Sequence, residues 1–76
     1  MQEKLIILRK NNDVTQKELA DVIGISPKQY SYKEMGKNKF NGDEMFKIAN
    51  YFKRKVDDIF LPTYHRIGDK INKKGE

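Results

Sequence analysis

The sequence predicts an all-α fold of five short helices, and three observations carry that prediction. Helix-start signatures recur at Thr15 with Glu18, Ser26 with Gln29 and Asn41 with Glu44, each a capping residue followed three positions later by Glu or Gln. Apolar stripes at helical spacing follow the first and third of these. No segment reads as a strand.

The first helix lies within Met1 to Asn12. Its "LIIL" is ambiguous between strand and helix by periodicity alone, but the flanking Gln, Glu, Lys and Arg favour helix. "NND" at Asn11 to Asp13 interrupts it. The second helix starts at the Thr15 box, with Val14 and Leu19 placed as a hydrophobic staple. Leu19, Val22 and Ile23 form its stripe, and Gly24 ends it as a residue that tolerates positive φ. After Ile25 alone, the same grammar repeats. Ser26 caps, Pro27 suits the first helical position, Ile25 and Tyr30 form a second staple, and Gly36 terminates the third helix. Phe40 and Met45 staple the fourth, whose Met45, Ile48, Ala49 and Phe52 run at i, i+3, i+4, i+7. Val56, Ile59 and Phe60 give a last short turn, closed by Pro62.

Composition narrows the function. The 76 residues suit one domain near the lower size limit for a single core. There is no cysteine and only one histidine, His65, read as an exposed tail residue. A thiolate metal site, a disulfide framework and a metal cluster are therefore not expected. No apolar run reaches the roughly 18 residues of a membrane span, and Met1 to Lys4 lead into only four apolar residues, unlike a signal peptide. A soluble, cytoplasmic protein is expected. No nucleophile–base pair or glycine-rich phosphate loop appears, and Asp57 and Asp58 read as a helix-start pair rather than catalytic carboxylates. We expect no enzyme and no cofactor. The net charge of +5 makes an anionic partner plausible, and four lysines between Lys28 and Lys39 concentrate it.

The second and third helices meet across one Gly and one cap, as a helix-turn-helix. Taken from Gln16, the motif spans residues 16–35. Ala20, its fifth position, must be small because the next helix crosses close to it, and Gly24, its ninth, occupies the turn. Leu19, Ile23, Ile25 and Tyr30 fall at its buried positions.

"TQKELADVIGIS" followed by "YSYKEMGK" resembles the lambda-repressor-like, Cro/Xre family of phage and bacterial transcriptional regulators. "LRKNNDVTQKELA" and "MFKIANYFKRKVDDIF" extend the resemblance over about Leu5 to Leu61. It implies a compact five-helix DNA-binding domain over residues 1–61, with a recognition helix at about 26–35; the basic residues 62–76, too poor in apolar side chains for a core of their own, read as a C-terminal tail, disordered or dimer-associated. It also implies a repressor-type protein that binds a palindromic duplex operator as a homodimer; a chain this short is expected to carry no separate ligand domain, and no small-molecule ligand is expected. In such a dimer Ile59, Leu61, Tyr64 and Ile67 would supply apolar area.

On that docking, the N-terminal turn and outward face of the recognition helix, with Pro27, Lys28, Gln29, Ser31, Tyr32 and Lys33, are free to touch DNA. Pro27, Lys28, Gln29 and Tyr32 are the base-reading candidates. Lys28 suits guanine N7 and O6, and Gln29 suits adenine N6 and N7 unless its cap occupies it. Tyr32 offers a hydroxyl to phosphate or a ring to a thymine methyl. The resemblance places Gln16 on the DNA backbone, and Thr15, Lys17, Ser26, Ser31, Lys37, Asn38 and Lys39 complete the phosphate-contacting set. It also matches Arg9 and Glu34 to a buried salt bridge.

Three positions depart from the family pattern. Lys33 replaces an apolar residue, with its ammonium expected in water. Pro27 stands where a polar reading residue is common. Lys53 and Lys55 replace Gly and a small cap. An antitoxin, a restriction-modification controller, or a protein-interaction module on the same fold are the alternative readings.

Overall fold

The computed structural model describes residues 1–60; Leu61 and the proposed tail, with Pro62, Tyr64, His65 and Ile67, lie outside the described residues. Five α-helices run in order: α1 (Glu3–Asn11), α2 (Gln16–Ile23), α3 (Pro27–Met35), α4 (Gly42–Phe52) and α5 (Val56–Ile59). No strand occurs among the described residues.

All three capping boxes form in both directions. The side chains of Thr15, Ser26 and Asn41 accept from the backbone amides of Glu18, Gln29 and Glu44, whose own side chains accept from the cap amides. Each box satisfies two amides that a helix start otherwise leaves without partners. At the far ends, Gly24 (φ 77°) and Gly36 (φ 90°) take the left-handed conformation that terminates α2 and α3. Lys53 does the same for α4 at φ 58°, although it carries a β-carbon. Lys55 precedes α5 without a side-chain cap, which fits a helix of four residues.

The core is a single cluster. Leu5, Leu19, Ala20, Ile23, Tyr30, Phe40, Ile48, Ala49, Ile59 and Phe60 are buried, with Val14, Ile25, Met45, Phe52 and Val56 packed against them. Tyr30, Phe40 and Phe60 stack edge to face in series, with centroids 5.8 and 5.1 Å apart. Ala20 is fully buried, as close packing of α2 against α3 requires. Ile59 is also fully buried. This corrects its assignment to a dimer surface: α5 spends its apolar residue on the domain's own core.

Candidate nucleic-acid interface

The face of interest begins at the N-terminus of α3. Pro27, Lys28 and Gln29 are exposed there, and Tyr32 is half-buried one turn on. The Tyr32 ring has a cation on either side in the sequence: Lys28 Nζ stands 5.9 Å from its centroid and Lys37 Nζ 5.1 Å. Both distances suit attraction between an ammonium and the ring's quadrupole. The ring thus draws a helix lysine and a loop lysine into one constellation. Ser31 is half-buried and directs its hydroxyl toward Met35 Sδ at 3.7 Å.

Gln29 is constrained by its cap. Its Oε1 accepts from the Ser26 amide at 3.0 Å, while Ser26 Oγ accepts from the Gln29 amide at 3.1 Å. A bidentate pairing with adenine needs the amide oxygen as acceptor, so the capped rotamer does not make it. Gln29 retains its NH₂ and can donate to a purine N7 or a phosphate.

The loop after α3 is exposed at Lys37, Asn38 and Lys39. Its start is pinned because the amides of Lys37 and Asn38 both donate to the Tyr32 carbonyl, at 2.9 and 3.4 Å. On α2, Thr15 and Lys17 are exposed, and Lys17 pairs with Asp21 at 3.1 Å in an open i, i+4 bridge. Such a bridge is weak enough to be exchanged for an anion.

Behind this surface lies a buried polar cluster. Arg9 Nε and Nη2 donate to Glu34 at 2.8 and 3.2 Å, and Arg9 Nη1 donates to the Val14 carbonyl at 3.0 Å. Tyr30 Oη donates to Glu34 Oε2 at 2.7 Å and Gln16 Nε2 to Glu34 Oε1 at 2.8 Å. One carboxylate therefore ties α1, α2 and α3 together. Burial alone would raise the Glu34 pKa, but the hydrogen bonds from Arg9, Tyr30 and Gln16 outweigh it and hold the carboxyl below its ordinary value. The Arg9 pKa rises, chiefly through its bond to Glu34. Burial pushes the Tyr30 phenol upward, and the Glu34 charge adds to that. Glu34 holds one Gln16 amide hydrogen, so the second remains as a donor.

Lys33 requires a correction. Its ammonium does not stand in water on the outward face. It donates to Glu44 Oε1 and to the Lys39 carbonyl, both at 2.9 Å, with its side chain 17% exposed. The motif's register turns this position toward α4, where a long cation finds an acidic partner. Lys33 is thus removed from the free face, while Lys28, Gln29 and Tyr32 stay on it. The Glu44 partner and the roles of Tyr30 Oη and Gln16 in the Glu34 cluster were not read from sequence. A lysine at a position the motif buries was the available signal that a counter-charge must lie nearby.

The helix-turn-helix family profile matches residues 5–59 of this chain. An uncharacterized HTH-type transcriptional regulator of Methanocaldococcus jannaschii is 36% identical over 61 residues, covering 80% of this chain and 92% of that protein. No solved structure matches the chain. With the paired capped helices, the glycine turn and this match over most of its length, the chain belongs to the Cro/Xre-type helix-turn-helix family of transcriptional regulators.

Proposed function

We propose that this DNA-binding regulator recognises a specific duplex sequence through α3 and represses transcription by occupying a palindromic operator as a homodimer. The observation that carries the reading is the Lys28–Tyr32–Lys37 constellation on the exposed side of a helix capped at both ends. Lys28 stands in the first turn, the part of a recognition helix that meets base edges. It donates to guanine N7 and O6, Tyr32 packs a thymine methyl or bonds a phosphate, and Pro27 lines the entry with an apolar contact. Gln29 contributes donors only while it caps.

Thr15, Gln16, Lys17, Ser26, Ser31, Lys37, Asn38 and Lys39 hold the two flanking backbones. These contacts set register and orientation but carry no sequence information. Two α3 helices in a symmetric dimer would stand about 34 Å apart, one duplex turn. The protein works in the compartment that holds the DNA and needs no cofactor or small-molecule ligand for this binding.

Selection from a random-sequence duplex pool tests the proposal, followed by salt titration of the enriched sites. The expected result is an enriched inverted repeat and an affinity that falls steeply with salt. Recovery of no preferred sequence would overturn the reading role of α3; an enriched sequence without two-fold symmetry would overturn the dimer.

A further inference from the structure

We infer that Lys33 is a positioning residue: through Lys39 and Glu44 it straps the loop after α3 to the start of α4 and so presents the loop's lysines to DNA. The inference rests on the DNA-binding reading above.

The loop from Gly36 to Asn41 is held from both sides. At its start, the Tyr32 carbonyl accepts the amides of Lys37 and Asn38. At its end, the Asn41 amide donates to Glu44 Oε1 at 3.0 Å, and Glu44's own amide donates to Asn41 Oδ1 at 2.8 Å. Lys33 joins the two ends. Its ammonium bonds the Lys39 carbonyl and the same Glu44 oxygen that serves the cap. Its side chain approaches the Phe40 ring, with Nζ 6.0 Å from the centroid, and Phe40 is buried against Tyr30 and Phe60. The strap is thus anchored to a capped helix on one side and to core aromatics on the other.

The geometry separates Lys33 from its neighbours in function. Lys37 and Lys39 are exposed, whereas the Lys33 charge is met by a largely buried carboxylate. Lys33 is therefore not itself a phosphate ligand. What it supplies is a fixed backbone at Lys39, so that binding does not have to order the loop when the phosphate arrives. Ordering a loop on binding costs affinity, and preorganising it removes that cost. An apolar residue at position 33 would pack against Phe40 but could not hold the Lys39 carbonyl.

The test uses Lys33→Met, Glu44→Leu, Lys39→Ala and the Lys33→Met/Lys39→Ala double variant in the full chain. Without DNA, backbone order parameters of the loop are measured by ¹⁵N relaxation. In Lys33→Met, Asn38 and Lys39 should fall from the rigid range near about 0.85 toward about 0.6, while α1 and α2 stay unchanged. With DNA, Lys33→Met should weaken binding about as much as Lys39→Ala, roughly three- to tenfold, and the double variant should be no worse than either single one. Glu44→Leu gives a sign test, because Leu offers no oxygen to Lys33 or to the Asn41 amide. It raises the net positive charge, so electrostatics alone predicts tighter binding, whereas loss of the strap predicts binding about threefold weaker.

Unchanged loop order parameters, additive losses in the double variant, or tighter binding by Glu44→Leu would each overturn the strap while leaving DNA binding intact. A wild-type chain that binds no duplex would instead overturn the functional reading itself, and the positioning role with it.

Discussion

Removing the charge of Glu34 should nearly unfold the domain, because one carboxylate serves four donors. Glu34 is 2% exposed and Arg9 8%, and the Tyr30 side chain beside them is fully buried. Substituting Leu for Glu34 leaves a buried guanidinium without its counter-ion, a buried phenol without its acceptor, and Gln16 unpaired. Breaking a buried ion pair from one side costs about 3–5 kcal/mol, mostly as the penalty of the stranded charge. A chain of this size has a total stability of roughly 4–11 kcal/mol, so the variant should be marginal.

Urea unfolding of Arg9→Met, Glu34→Leu and the double variant measures this, with sulfate added to keep the weakest variant folded. The double variant should be more stable than Glu34→Leu, and the coupling between the two sites should be about 2 kcal/mol or more. Acid adds an independent axis. The folded Glu34 carboxyl titrates below its unfolded value of about 4.3, so its contribution is fully present above that pH. It is lost as the pH falls through the depressed folded value. Wild-type stability should therefore drop below about pH 4, and in Glu34→Leu that part of the drop should vanish. Single-site losses that add within about 0.5 kcal/mol, with an unaltered acid profile, would refute the cluster's role as the junction of α1, α2 and α3.

Further outcomes concern the backbone and the reading face. Lys53→Gly should stabilise the domain by about 1 kcal/mol in urea, because Lys53 holds a left-handed φ of 58° that glycine adopts without strain. Gly24→Ala should destabilise it by about 1 kcal/mol from its φ of 77° alone, since an added β-carbon meets nothing within 4 Å. Gly36→Ala should cost more in the same assay, as its β-carbon would come within 3.0 Å of the Met1 nitrogen. Tyr32→Ala should lose about 1–3 kcal/mol of operator binding and relax base preference, whereas Lys37→Ala should weaken all sequences alike and lower the salt slope by about one ion.

The helices were legible because their boundaries are written in local chemistry. A hydroxyl or amide at the cap, Glu or Gln at the third position, and Gly past the end each act within one turn, so Thr15, Ser26, Asn41, Gly24 and Gly36 read directly from order along the chain. The buried stripe of α4 was legible for the same reason. What was not legible depends on which faces meet in space. Lys33 and Glu44 are eleven positions apart on different helices, and only the packing of α3 near the start of α4 makes them partners. Tyr30 was readable as core from its staple position, but the acceptor for its hydroxyl was not. Ile59 looked available for a partner because sequence shows its apolarity and not the α1 and α4 surfaces that cover it. The exposed side of α3 was legible as a set of residues; the ring that gathers Lys28 and Lys37 needed the fold.

Amide chemical-shift mapping of the full chain titrated with the selected operator duplex tests the central claim most directly. The account predicts the largest shifts at Thr15 to Lys17 and from Ser26 to Lys39, with Phe46 and Tyr51 on the exposed side of α4 little changed. Shifts centred on Phe46 and Tyr51, with Lys28 and Tyr32 silent, would contradict it.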